Sequence, residues 1–239
     1  FDYDEKGNTR FLSIQFRPQY QYLDQNKEAE ERIYEGETPG VSYGDIAERY
    51  YTVGQYMKEV KDVSKAMAAA GDSYICDEYL NAMGSPEAES VYVLHDLNND
   101  GIEDFFIGLK FNYDIPYYVI YDVYTWKDGR AYQLMRGIGY RNGSCKICEN
   151  GVIEDNYSGS AWDGQTLYHI LPEGGIELET IDSVSSRRDG TVQSYYHWNE
   201  LIDENSLETI LEQYQPESVT YVDCNRETIE QLRLSGIRK

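Results

Sequence analysis

The chain of 239 residues has no apolar run that reaches the roughly 18 residues a membrane-spanning helix needs. A membrane-spanning helix within it is therefore not expected. It also shows no signal peptide. Phe1-Asp2-Tyr3-Asp4-Glu5 offers neither a basic n-region nor an apolar core. The first residue is Phe rather than Met, so the chain is expected to be processed or trimmed, and the missing leader does not argue for the cytoplasm. Basic residues are scarce, 21 against 43 acidic, which gives a formal net charge of −22. Such a surface repels phosphate backbones and anionic lipid headgroups, disfavours nucleic-acid and membrane-surface partners, and attracts cations. Phenylalanine is sparse at 6 copies while tyrosine reaches 24. Tyrosine can stack on sugars or peptides through its flat face, but it is also a good half-buried strand residue, and the second use accounts for most copies. Only four cysteines occur, Cys76, Cys145, Cys148 and Cys224. They permit two disulfides in an oxidising compartment, and a chain this long does not need them as staples.

Apolar periodicity sets the expected architecture. A hairpin is expected from Phe1 to Phe16 around Glu5-Lys6-Gly7-Asn8, with Asp24 capping a short helix over 25–34. Ile46, Tyr50, Val53, Met57, Val60, Ser64 and Met67 recur at three- and four-residue steps, one helical stripe that Gly71 would stop. A second helix runs through Tyr74, Ile75, Tyr79, Leu80 and Met83 to Gly84. From Ser90 the period changes to two. Turn signals recur at Asp128-Gly129, Asn150-Gly151, Gly174-Gly175 and Asp189-Gly190, so roughly eight antiparallel strands are expected between Val91 and Trp198. Their uneven spacing argues against a true repeat. Asp203 should cap a helix from Glu204 to Tyr214. Val219 to Val222 reads as a strand, and Arg226 to Leu234 as a last helix. The expected fold class is α+β: an N-terminal helical pair packed on a large antiparallel β-meander, with short C-terminal helices. It is treated as one domain, with a mainly helical part at 1–88, the meander at 89–200 and a helical tail at 201–239.

The segment Asp96-Leu97-Asn98-Asn99-Asp100-Gly101-Ile102-Glu103-Asp104 is the strongest chemical signal. Asp96, Asn98, Asp100 and Asp104 stand at positions one, three, five and nine. Gly101 allows a sharp turn at six, and the Ile102 carbonyl can face inward at seven. A hard cation takes six to eight oxygen ligands, and this spacing supplies several of them from one turn, so Ca²⁺ is the expected cofactor. Position twelve is Ile107 rather than a bidentate Glu, and the flanks are strands rather than helices. The loop resembles the D-x-[DN]-x-D-G-x-x-D loops of FG-GAP and VCBS-type repeats, in which a β-hairpin presents the ion. With the later Tyr121-Asp122-Val123-Tyr124-Thr125-Trp126-Lys127-Asp128-Gly129 run, the chain is similar to uncharacterised secreted proteins and lipoproteins of Gram-positive anaerobes. That resemblance implies an extracellular or cell-surface setting, with a lipid anchor upstream as one form of it. It implies no activity. Affinity without the twelfth-position carboxylate should be modest, of order 10⁻⁴ to 10⁻³ M.

Other constellations are weaker. Cys145-Lys146-Ile147-Cys148 lacks a second cysteine pair for zinc, and as a strand it would put its thiols on opposite faces. Ser158-Gly159-Ser160-Ala161-Trp162-Asp163-Gly164 with His169 lacks a nucleophile elbow. His95 and His197 read as ordinary core or surface histidines. The acidic pairs Glu154/Asp155 and Asp2/Asp4 are unsurprising among 43 carboxylates. Along Tyr117 to Trp126, alternation would send Tyr118, Ile120, Asp122, Tyr124 and Trp126 to one face, and Tyr117, Val119, Tyr121 and Val123 to the other. The first set, with its acid, reads either as a binding platform or as a surface covered by a second layer. The expected role is a calcium-stabilised, non-catalytic module for a glycan or protein ligand. The alternative is a secreted hydrolase that attacks glycan or peptide through carboxylates.

Overall fold

The computed structural model describes residues 2–3, 9–10, 42–70, 75–127, 129–138, 145–149, 151–158, 162–171, 176–185, 193–198 and 200–235. Two short strands open it, β1 (Asp2–Tyr3) and β2 (Thr9–Arg10), paired antiparallel as the expected hairpin requires. Its turn, together with Phe11, Ile14, Phe16 and the helix expected at 25–34, lies outside the described residues.

Helix α1 (Tyr43–Val60) begins at Ser42, whose side chain accepts the Asp45 N–H at 3.2 Å and so satisfies one of the amides left open at a helix start. Tyr43, Ile46, Ala47, Tyr50, Val53 and Met57 form its buried stripe. The single helix expected through Met67 is cut. Lys61 takes a left-handed conformation (φ 49°), its N–H closes back on the Met57 carbonyl at 2.8 Å, and α2 (Val63–Ala70) starts again beyond it. Spacing alone hides this break, because apolar residues on either side keep the helical step. Helix α3 (Asp77–Met83) follows, capped by the Cys76 sulfur on the Tyr79 N–H at 3.4 Å.

The strands are β3 (Ala88–His95), β4 (Asp104–Phe111), β5 (Tyr117–Lys127), β6 (Arg130–Arg136), β7 (Cys145–Cys148), β8 (Val152–Ser158), β9 (Trp162–Ile170), β10 (Ile176–Ser185), β11 (Gln193–His197) and β12 (Glu200–Ile202). Helix α4 (Glu204–Leu211), strand β13 (Val222–Asp223) and helix α5 (Arg226–Ser235) complete the order. The fold is α+β, with every sheet pairing antiparallel. The meander does not stay in one sheet. It divides after β6 into a five-stranded sheet, β13-β3-β4-β5-β6, and a six-stranded sheet, β12-β11-β10-β9-β8-β7.

The core explains the layering. Tyr43, Ile46, Tyr50, Val53, Met57, Tyr79 and Met83 from the helices pack on Tyr92, Phe105, Ile107, Leu109, Tyr121 and Tyr124 of the first sheet. Val93, Phe106, Ile120 and Val123 on the opposite face of that sheet pack on Ile147, Ile153, Tyr168 and Ile170 of the second. Helix α4 and the residues after it lay Leu207, Ile210, Leu211 and Tyr214 on the outer face of the second sheet, over Cys148, Val152, Leu167 and Ile181. The first sheet is thus covered on both faces, which is why β4 buries every residue from Asp104 to Leu109.

A β-bulge corrects the expected faces of β5. Ile107 pairs with Asp122 and Gly108 with Ile120, leaving Tyr121 as the extra residue. Tyr121 and Asp122 therefore both face the helices, and the alternation is reversed beyond them. Asp122, Tyr124 and Trp126 meet α1, while Ile120 and Val123 face the second sheet. Gly108 is required there, since a Cβ would lie 2.1 Å from the Val119 carbonyl oxygen.

The tail closes both sheets. Backbone bonds from Glu149 N–H to the Gln215 oxygen (2.9 Å) and from Glu217 N–H to the Ile147 oxygen (2.8 Å) run along β7. The expected strand at Val219 to Val222 is reduced to β13, which pairs with β3. Helix α5 packs on α1, with Arg233 bonded to Asp45 at 3.1 Å and also to Glu48. Two strand edges that would otherwise offer unpaired backbone groups are covered in this way.

Candidate functional site

The Asp96–Asp104 loop is the β3–β4 turn. Asn99 (φ 56°) and Gly101 (φ 86°) sit in the left-handed region, which lets the chain reverse in so few residues. Asp96 accepts the Asp100 N–H at 3.0 Å and the Gly101 N–H at 2.9 Å through its two oxygens. Asn98 Oδ1 accepts the Asp100 N–H at 3.3 Å, and Asp100 Oδ1 accepts the Ile102 N–H at 2.8 Å. Asp104, 1 % exposed, accepts the Leu97 N–H at 3.3 Å and the Thr125 hydroxyl. Burial, reinforced by the charges of Asp100 and Asp96, outweighs those two bonds and pushes the Asp104 carboxyl up to about 7. Three carboxylates thus lie close enough to repel one another.

The loop is where three layers meet. From α1, the Tyr43 hydroxyl donates to the Glu103 carbonyl at 2.9 Å. From the second sheet's side, the Leu171 carbonyl accepts from the Asn98 amide at 3.3 Å, and Gly151 is pressed against the Leu97 carbonyl. Leu97 is 1 % exposed and sits in the core between the sheets. Among the described residues, no three His, Cys, Asp or Glu side chains converge as a finished metal cage. The donor set nevertheless fits a hard divalent cation, since it is all oxygen and mostly anionic. A carboxylate has about four acceptor positions, and the amide bonds to Asp96 and Asp100 use only part of them. Sequence spacing places the five expected residues in one turn. It does not reveal Tyr43, Thr125 or Leu171, which reach the loop only through tertiary packing.

A second polar centre lies on the outer face of the six-stranded sheet. Glu179 of β10 accepts from His197 Nε2 at 2.6 Å through one oxygen, and from His169 Nε2 at 3.0 Å and the Tyr214 hydroxyl at 2.6 Å through the other. The antiparallel register places His169 and His197 on the flanking strands β9 and β11, and the segment after α4 brings Tyr214 over them. Burial works to raise the Glu179 carboxyl, but the Tyr214 hydroxyl and the two imidazoles win and hold it below its usual range. His95 is likewise paired, with Glu217 at 3.0 Å. His197 and His95 are both half-buried, and each bonds a carboxylate. Glu179→Gln is expected to cost about 2 kcal/mol, since three donors lose a charged acceptor. The depressed carboxyl stabilises the fold fully above the ordinary glutamate range and ceases to do so as pH falls below about 4. Urea unfolding at pH 7 and pH 3.5 should show a mutational loss at the first pH that shrinks at the second.

Among the described residues, the Glu154/Asp155 pair does not converge on one face. Glu154 and Asp155 are neighbours on β8 and point to opposite faces. Glu154, 6 % exposed, is held by Lys146 (3.4 Å), Asn156 (2.6 Å) and Gln165 (3.3 Å). It shares a face with Glu179 across Leu167, two strand spacings or about 9.5 Å between backbones. Leu167 is fully buried beneath the α4 segment, however, so no substrate strip opens between the two carboxylates. Ser160 and Asp4 lie outside the described residues. All four cysteines are free and buried. Cys145 faces the core between the sheets and Cys148 the α4 side, as the strand reading requires. Burial pushes the Cys148 thiol up to about 11 and Cys224 to about 12, which removes thiolate character.

No family model, no curated protein and no solved structure matches this chain. The likeness to FG-GAP and VCBS-type loops therefore rests on residues 96–104 alone.

Proposed function

We propose that this chain is a non-catalytic binding module of a cell surface, its layers held together by a calcium ion in the Asp96–Asp104 loop. The observation that carries the calcium reading is the loop's position. Asp96, Asn98, Asp100 and Asp104 belong to a turn that touches α1, the first sheet and one end of the second. A bound cation would neutralise the repulsion among three carboxylates, and the Ile102 carbonyl is the remaining donor assigned to it. The anionic surface and the covered carboxylates of the second sheet favour binding over hydrolysis. The ligand class is a glycan or a protein.

Thermal unfolding of chelated protein against added Ca²⁺ and Mg²⁺, with Asp100→Ala alongside, tests the calcium reading. A site of about 1 mM affinity saturated at about 10 mM Ca²⁺ should raise the midpoint by about 3–6 °C, with a smaller response to Mg²⁺. Asp100→Ala should remove the response. A midpoint that does not move with Ca²⁺ in the wild-type protein would sink the reading.

A further inference from the structure

Lys146, Glu154 and Asn156 form a cluster on the outer face of the six-stranded sheet that neither the calcium loop nor the Glu179 centre uses. The register sets it up. Lys146 on the edge strand β7 pairs directly with Glu154 on β8, and Asn156 follows two residues on, so all three share one face. Glu154 is 6 % exposed, and Leu167, its partner on β9, is fully buried beside it. Its Oε1 accepts from Lys146 Nζ at 3.4 Å, Asn156 Nδ2 at 2.6 Å and Gln165 Nε2 at 3.3 Å. Its Oε2 accepts from the Cys148 thiol at 3.8 Å. One carboxylate oxygen thus bridges a primary amine on one strand and a primary amide on the next.

We propose that Lys146 and Asn156 are the partners of an intramolecular isopeptide bond, with Glu154 as its acid–base catalyst. An amine nucleophile has to be freed of its proton by an adjacent base, and an amide nitrogen leaves only once it gains one. Glu154 Oε1 touches both nitrogens. It takes a proton from the Lys146 ammonium, and the freed lone pair attacks Asn156 Cγ while the carbonyl π pair moves onto Oδ1. Glu154 passes its proton to Nδ2 and takes the surplus proton from Nζ. The Cγ–Nδ2 bond then breaks, the carbonyl re-forms, and ammonia departs. One C–N bond forms, one C–N bond breaks, and no oxidant or external co-reactant is needed. This is a single maturation of the chain itself, independent of calcium and of any ligand. Asn156 is the acyl partner because its nitrogen lies nearer to Oε1 than that of Gln165, and because β8 adjoins β7 whereas Gln165 stands one strand further on. The bond ties down β7, the four-residue edge strand on which the tail docks through Gln215 and Glu217. No disulfide does this, since all four cysteines are free. The Lys146 side chain is 46 % exposed, and an ordinary lysine is almost wholly protonated at pH 7, so the reaction should quicken as pH rises.

The test is the intact mass of the denatured full chain, taken fresh and after incubation of the folded protein at about pH 9. Loss of one ammonia, about 17 Da, is expected in the wild-type protein. It should be absent from Lys146→Arg, which keeps the cation and the ion pair but has no amine to acylate. It should also be absent from Glu154→Gln, which keeps the shape without the proton carrier, and from Asn156→Ala. Circular dichroism of the variants keeps misfolding out of the comparison. In the wild-type digest, trypsin should fail to cut after Lys146, and tandem mass spectrometry should find a branched peptide joining residues 146 and 156. A wild-type chain at its full sequence mass after the incubation overturns the proposal. So does a loss that persists in Lys146→Arg, which is the mark of a succinimide at an Asn–Gly step such as Asn150-Gly151. A branch that ends at Gln165, with the loss retained in Asn156→Ala, overturns the choice of acyl partner.

Discussion

Asp122→Ala is expected to cost about 3 kcal/mol in urea unfolding at pH 7, and Asp122→Asn clearly less. Asp122 is wholly buried between α1 and the first sheet. One of its oxygens accepts from the Tyr50 hydroxyl, the other from the Gly137 N–H at 2.8 Å. Tyr50 in turn meets the Tyr124 hydroxyl at 2.9 Å, and Tyr124 is bonded by the Gln133 amide at 3.1 Å. Alanine leaves a buried hydroxyl and a buried amide without their charged acceptor, and each then bears its own desolvation cost. Asparagine keeps one oxygen for the amide and lets the hydroxyl proton turn elsewhere. The site is also self-opposing. Burial outweighs the bonds from Tyr50 and Gly137 and the charge of Arg136, and pushes the carboxyl up to about 6. A loss below about 1 kcal/mol for alanine would show that the network does not hold helices to sheet.

The Asp104→Asn variant should move stability the other way. In chelated protein at pH 8 it is expected to add on the order of 2–3 kcal/mol, and to abolish the calcium response. With its carboxyl pushed up to about 7, wild-type Asp104 binds a proton in the folded chain between about pH 4 and 7, where the unfolded chain does not. The metal-free protein therefore loses stability as pH rises through that window, and the loss is complete above about 7. Asparagine keeps the shape, accepts the Leu97 N–H and carries no charge to desolvate, so this part of the slope should vanish. A calcium ion bound as proposed would compete with the same proton, and its apparent affinity in the wild-type protein should then fall as the solution is acidified below about pH 7. Urea unfolding in chelator at pH 5 and pH 8, repeated with calcium, separates the terms. An Asp104→Asn chain less stable than wild type at pH 8 without calcium would refute the account of a strained, charge-crowded loop.

Local chemistry was legible wherever it is encoded by neighbours in the chain. The α1 stripe from Ile46 to Met57, the caps at Asp203 and the hairpin turn at Gly101 all depend on residues within about one helical turn or one reversal. The reversal that holds the five loop residues belongs to the same class. Tertiary packing decided the rest, because it depends on pairings between distant residues. Strict alternation along β5 failed at one extra residue, Tyr121, since a bulge is set by the partner strand and by the approach of Val119 to Gly108. That single residue carried Asp122, Tyr124 and Trp126 to the helix side of the sheet, where the helices cover them. The division of the meander after β6 likewise follows from which apolar faces can cover one another, and strand periodicity is the same in one sheet or two. The Glu179 centre draws on His169, His197 and Tyr214, spread over 46 residues and joined by strand register and a docked helix. Which of the described tyrosines fill the core and which, like Tyr113 and Tyr117, stay in solvent was likewise decided by packing between distant elements.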